Sequence, residues 1–238
     1  MRGAGTAVVA AALVLLAGCA GGAEKQQDGP GRAVKQPAHA TQAAATREIP
    51  GVGAALRSRI PAGSRQVVAV YGDGVRSADA TIVLYTRNGD LWKRERSWSG
   101  HNGKRGWTTD HQEGDRKSPV GVFTLSDAGG VLADPGSGLP YHRSPAFAAP
   151  RSWAKSHWHD FDLVIAIDYN RVKGTSPLDP TRPQGQSKGG GIWLHMDHGS
   201  GTSACVSQSK ADMEYLLRTL DPALHPVVVM GDRAHLAA

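Results

Sequence analysis

Two cysteines in 238 residues, Cys19 and Cys205, are all the chain has. Long apolar runs are equally scarce. The one uninterrupted stretch, Ala7 to Ala17, falls short of the roughly 18 residues that a membrane-spanning helix requires, and no later segment approaches that length. This excludes a polytopic membrane protein built of helices. The basic residues are scattered rather than clustered and no nucleic-acid motif is present, so the net charge of +6 does not indicate a nucleic-acid partner. Internal repeats are absent, which excludes a solenoid, and so is βαβ alternation, which excludes a doubly wound sheet.

What is present begins at the N-terminus. Arg2, then the apolar run, then small residues give the layout of an export signal. The run ends in Leu16-Ala17-Gly18-Cys19, which resembles the bacterial lipoprotein processing box. That resemblance implies a signal peptide over residues 1–18, cleavage before Cys19 and lipid on its sulfur, with two or more acyl chains for a stable hold. Without Arg2 the charge becomes +5, which suits an anionic envelope surface. Residues 20–48 are rich in Ala, Gly, Gln and Pro, with Val34 the only large aliphatic residue, and read as a flexible tether. Such a leash has an r.m.s. reach of roughly 30 Å. With Cys19 lipidated, Cys205 has no intramolecular partner in an oxidising compartment. It is then a reactive thiol, an intermolecular bridge or an inert buried residue.

The expected folded domain, residues 49–238, carries many short β signals. Gln66 to Tyr71 is an apolar run; Thr81 to Thr86 and Leu91 to Trp98 flank Arg87-Asn88-Gly89-Asp90, a hairpin signature. Val120 to Leu125, Leu163 to Ile167, Ile192 to Met196 and Val227 to Met230 are further strand candidates. Met213, Leu216, Leu217 and Leu220 form the apolar stripe of one helix near Ser209 to Leu220, with Ser209 and Asp212 as its capping box. The long segments Asp127 to Pro150 and Lys173 to Gly191, loaded with Gly, Pro and Asp, read as loops. The expected class is mainly β with one or two packed helices (α+β).

The chemistry concentrates in Gly189 to Ser207. A strand ends in His195, a glycine-rich turn follows, and Cys205 comes next, four residues before the Ser209 cap. An imidazole can take the thiol proton and a helix N-terminus favours the thiolate, so this layout predicts a Cys205 pKa below about 8.5. Backbone N–H groups at Ala204 and Cys205 are candidates for an oxyanion hole.

At these residues the chain resembles the L,D-transpeptidase catalytic domain, whose strand-borne histidine is followed by a Ser/Thr-His-Gly-Cys-aliphatic-Asn/Arg motif. His195 takes the first place, and Thr202-Ser203-Ala204-Cys205-Val206-Ser207 the second. Upstream, Ser118-Pro119-Val120-Gly121-Val122-Phe123-Thr124-Leu125 resembles the family's Thr-Pro-x-Gly-x-Phe strand. Val164 to Asn170 followed by Arg171 resembles its Tyr-Asn-Arg segment. Ser203 stands for the motif histidine, Ala204 for the glycine and Ser207 for Asn or Arg. Alanine at 204 is costly only if that position needs a positive φ. The resemblance implies a sandwich-like β fold and an enzyme acting on peptidoglycan tetrapeptide stems by L,D-transpeptidation or L,D-carboxypeptidation. Cys205 is its nucleophile and His195 its base, Ser203 is a substitute hydrogen-bonding partner, and no metal or organic cofactor takes part. It also implies carbapenem-type β-lactams as inhibitors and a position on the outer face of the cytoplasmic membrane, facing the wall.

His198 is a second candidate base or an exposed loop residue, and Asp197 a turn former. Trp193 shares the strand face of His195, and with Tyr141 and Trp158 it is a candidate substrate contact. Two rivals stand beside the thiol enzyme. His157 and His159, spaced i, i+2 on a strand, point the same way and with His195 or Asp197 would make a zinc peptidase. A non-catalytic wall-binding lipoprotein of the same fold is the other.

Overall fold

A computed structural model describes residues 45–238. The expected leader, Cys19 and all but the end of the expected tether lie outside the described residues.

Ten strands form one mixed sheet. In chain order the elements are α1 (Ala54–Arg57), β1 (Gln66–Gly72), β2 (Asp79–Asn88), β3 (Leu91–His101), β4 (Trp107–Thr108), β5 (Ser118–Pro119), β6 (Gly121–Thr124), β7 (Ala128–Gly130), β8 (Tyr141–Arg143), β9 (Val164–Ala166), β10 (Trp193–Met196), β11 (Val206–Gln208), α2 (Lys210–Thr219), β12 (Val227–Asp232) and α3 (Arg233–Ala237). The sheet runs β6-β12-β1-β2-β3-β11-β10-β9-β7-β8, and β4 with β5 makes a separate two-stranded ribbon.

The β2–β3 hairpin turns at Gly89, whose φ of +57° a side chain would resist. β1 is buried along its whole length, because both faces of the sheet are covered there. Val68 and Val70 belong to one core cluster with Met213, Leu216, Leu217 and Leu220 of α2 and its C-cap. Val67, Ala69 and Tyr71 belong to a second with Leu56 and Leu236. Each α2 side chain of that stripe contributes about 1.5–3 kcal/mol on burial. Ser209 caps α2, accepting from the Asp212 N–H as the capping box predicts. Strands from both halves of the sheet, among them Val228 of β12 and Ile165 of β9, contribute to the first cluster.

β10 and β11 run parallel, Leu194 opposite Val206 and His195 opposite Ser207. Nine residues, 197–205, connect them, fewer than the dozen or more of a usual parallel crossover. A connection that short brings its last residue, Cys205, back beside the start of β10.

Three expectations change. β11 was not foreseen, having a single apolar residue among its three. Short strands β7 and β8 form inside the segment read as a loop, where Ala128 pairs with Tyr141 and Ile165. His157 and His159 lie not on a strand but on a tight 3-10 turn and the bend after it, which separates their side chains.

Candidate active site

The pleat of β10 and β11 sorts their side chains. Leu194 and Val206 are fully buried in the core, so His195 and Ser207 face the other way. Cys205, in the bend just before β11, opens on the same cleft as His195. Three glycines with positive φ, Gly189, Gly190 and Gly191, lead into β10; a Cβ at Gly190 would meet the Arg182 side chain at 2.1 Å. The result is a cleft of about 700 Å³ lined by Cys205, His195, Trp193, His198 and Ser203.

The turn before Cys205 is fastened on three sides. Ser118 Oγ donates to the Ala204 carbonyl at 2.6 Å and accepts from the Gly103 N–H at 2.9 Å. Thr202 Oγ1 donates to the Cys205 carbonyl at 2.7 Å. The Thr202 N–H donates to Asn102 at 2.9 Å, and its carbonyl accepts from the Lys104 N–H at 2.8 Å. The Ser118-Pro119 element noted in the sequence thus fastens the Cys205 turn directly. Ala204 has no positive φ and sits buried in the core cluster, so the position does not demand glycine.

The Cys205 sulfur accepts from the Trp193 N–H at 3.4 Å and lies 3.7 Å from the Gly191 carbonyl oxygen. Burial pushes its thiol up to about 11; the Trp193 N–H works against this and the Asp160 charge adds to it. The expectation of a depressed pKa is therefore corrected. β11 intervenes between Cys205 and α2, and four residues of extended chain span about 13 Å. That is beyond the first helical turn, where the dipole acts.

His195 is buried, and its Nδ1 is 2.8 Å from the Met196 carbonyl oxygen. A carbonyl only accepts, so Nδ1 carries the proton and Nε2 keeps its lone pair. Burial also holds the His195 pKa below the usual imidazole range, with the Met196 hydrogen bond opposing. At rest the pair is a neutral thiol and a neutral imidazole.

Asp197 does more than shape the turn. Its carboxylate accepts from the Gly199 N–H at 2.9 Å and from Ser207 Oγ at 2.6 Å, and meets His101 Nδ1 at 2.8 Å. Burial opposes its ionisation, but these bonds outweigh burial and keep its pKa below the usual carboxylate value. Asp197 and Ser207 clamp the two strands at the level of His195.

Other candidates divide. Trp193 lines the cleft, wedged between Phe147 and Phe161 with ring centroids at 5.7 and 5.3 Å. Tyr141 and Trp158 are not among the lining residues. Tyr141 donates to the Leu132 carbonyl at 3.1 Å, and Trp158 to the Trp153 carbonyl at 3.0 Å under the Arg151 guanidinium. Trp153 lines the cleft instead. Ser203 is exposed at the rim. His198 is no exposed loop residue: its side chain is 4% exposed, with its ring nearly parallel to that of His195 and their centroids 6.4 Å apart. Outward-facing His159, paired with Asp162 and 73% exposed, cannot join His195 or Asp197 around an ion as the zinc reading required.

No curated protein matches the chain significantly. Among solved structures, Bd1075 of Bdellovibrio bacteriovorus aligns at 17% identity with a TM-score of 0.41, over 71% of this chain and 48% of its own, about half its length. The model of the YkuD family, described as the L,D-transpeptidase catalytic domain, matches residues 75–229 and so takes in Ser118, His195 and Cys205. This chain belongs to the YkuD L,D-transpeptidase catalytic domain family, whose members act on peptidoglycan stem peptides.

Proposed function

We propose that this chain is an envelope-tethered L,D-transpeptidase or L,D-carboxypeptidase with Cys205 as nucleophile and His195 as general base. The observation that carries the reading is that His195 on β10 and Cys205, in the bend just before β11, line one cleft, with His195 held in the tautomer that leaves Nε2 free.

The sulfur attacks the carbonyl between an L-centred and a D-centred residue of a tetrapeptide stem. Because the resting thiol is neutral, its proton passes to His195 Nε2 as the C–S bond forms, and then to the departing D-alanine amine. The Ala204 and Cys205 N–H groups are the candidate donors to the developing oxyanion. A diaminopimelate side-chain amine or water then attacks the thioester, His195 taking its proton and returning it to the sulfur. No step needs a metal or organic cofactor. The site's neutral, buried pair suits this order of events, since a ground-state thiolate would be poorly solvated there. Lipid at Cys19 and the tether of residues 20–48 would keep the domain at the outer face of the cytoplasmic membrane, within reach of the wall.

Incubation of the purified protein with a disaccharide-tetrapeptide, read by mass spectrometry for D-alanine release and for crosslinked dimer, tests the reading. Wild type is expected to release D-alanine and Cys205→Ser to release none. Turnover unchanged in Cys205→Ser would overturn it.

A further inference from the structure

Beside His195, on the wall of the cleft, three side chains distant in sequence come together. His157 ends a 3-10 turn, Asp160 follows three residues later, and His198 sits in the crossover after β10. One oxygen of Asp160, Oδ2, lies 3.0 Å from His157 Nδ1 and 3.1 Å from His198 Nδ1. The two imidazole centroids are 4.1 Å apart, and one donor atom from each of the three residues falls within 4.8 Å of the others.

Hydrogen bonding accounts for only half of this cluster. His157 Nδ1 and Asp160 Oδ2 are properly aligned. The His198 side chain and that of Asp160 are each 4% exposed, yet neither ring nitrogen of His198 nor Asp160 Oδ1 has a hydrogen-bond partner among the described residues. His198 Nδ1 approaches the carboxylate at hydrogen-bond distance without hydrogen-bond alignment. Buried polar atoms in native proteins are ordinarily satisfied, and an imidazole with both nitrogens unpaired is an exception that needs a cause, a bound ion among them. All three residues line the cleft.

We infer that His157, Asp160 and His198 form a binding site for one divalent transition-metal ion of the zinc class, with a fourth coordination position open to the cleft. Two imidazoles and a carboxylate are a donor set that Zn²⁺ takes in open, three-protein-ligand sites. Tetrahedral bonds of about 2.0–2.2 Å place ligand atoms roughly 3.3 Å apart, close to the two contacts around Asp160 Oδ2. Imidazole with carboxylate also argues against Mg²⁺ or Ca²⁺, which take oxygen ligands. The open position would accept water or a carboxylate oxygen. The inference is independent of the acyl-transfer reading, because the ion touches neither Cys205 nor His195 in this donor set.

The test is titration of the purified full-length protein, first stripped with chelator, with Zn²⁺ against a chromophoric competitor, and with Co²⁺ followed by absorption. Wild type is expected to bind one ion, and Co²⁺ to give the bands of a four-coordinate nitrogen/oxygen site without a thiolate charge-transfer band. Even residues that merely support metal ligands cost 10–100-fold in affinity when replaced, so His157→Gln, Asp160→Asn and His198→Gln should each cost about 100-fold or more. Exposed His159→Gln and Cys205→Ser should bind as wild type does. Thermal melts without metal show that each variant folds. Zinc should raise the wild-type Tm and leave that of His198→Gln unchanged. Failure of wild type to bind one equivalent, or equal binding by all folded variants, would overturn the site and leave a histidine–aspartate proton network. A thiolate band lost in Cys205→Ser would also overturn it.

Discussion

β1, β2 and β12 make one half of the sheet; β9, β10 and β11 make part of the other. The first group has six- to ten-residue strands in long register and is apolar on both faces, with Val67 to Val70 wholly inaccessible. The second has strands of three or four residues with one core face, Ile165, Leu194 and Val206, and an opposite face on which His195 and Ser207 sit beside Val164 and Trp193. Length and apolarity hold the first group together by themselves. The second is held by its polar clamps: Asp197 to Ser207 and His101, Ser118 to Ala204, and buried Arg171 to Asp127 at 2.9 Å and to Asp168. Stability and the proposed chemistry are thus divided between regions, and within β10 and β11 between the two sides of a single pleat.

Substitutions on opposite sides of β10 break or sharpen that division. The largest expected effect is on the outer face. His195→Gln should lower D-alanine release by about 10²–10⁴-fold, the usual contribution of a general base. Its chemical-denaturation midpoint should stay near wild type, since a buried imidazole with one hydrogen bond is replaced by an amide able to make the same bond. One position away, Leu194→Ala should cost about 2–5 kcal/mol in the same denaturation experiment. If both changes moved stability alike, the division within β10 would be wrong.

Ser118→Ala comes next. It leaves the Ala204 carbonyl and the Gly103 N–H without this partner, so a loss of about 1–3 kcal/mol is expected, with a fall in turnover as the Cys205 turn loosens. The smallest effect is at Ala204. Restoring the family's glycine should lower stability by about 0.5–1 kcal/mol and not raise turnover, because φ at this position does not require glycine.

The two buried titrating groups give the comparison a pH dimension. The folded state raises the Cys205 pKa to about 11, so it binds the thiol proton more tightly than the unfolded chain does. The stability this adds is complete below the unfolded thiol value near 8.5 and is lost as pH rises from there toward 11. His195, with its pKa depressed, acts at the other end: stability falls as pH drops below about 6.5, where the unfolded imidazole takes up a proton. Melts of wild type and Cys205→Ser over pH 8 to 10 should diverge as pH rises, the serine variant showing the flatter profile. Parallel profiles would mean that Cys205 is not buried as described.

How much of this was legible in the sequence follows the same division. β1, the β2–β3 hairpin and β12 announce themselves because burial of both faces requires an unbroken apolar run and a tight turn requires Gly89. The α2 stripe and the Ser209 cap are legible for the same kind of reason. β11 is not, since Val206-Ser207-Gln208 carries one apolar residue and is defined by its neighbours β3 and β10. Missing it made Cys205 look like the foot of a helix and gave its pKa the wrong sign. The candidates His195 and Cys205 come from spacing and family motif and line one cleft, but the clamps were not legible. Asp197, Ser118 and His101 act through contacts that no local pattern encodes. The pattern His157-Trp158-His159 pointed to the wrong pair, because the chain turns there and sends His159 outward, while Asp160 and the distant His198 turn in.

Intact-protein mass after exposure to a carbapenem tests the central claim most directly. A single acyl adduct, mapped by peptide digestion to Cys205, absent from Cys205→Ser and formed much more slowly in His195→Gln, is the result expected of a buried thiol that loses its proton only as it attacks. A wild-type protein that stays unmodified, or an adduct that forms equally fast without His195, would contradict the dyad.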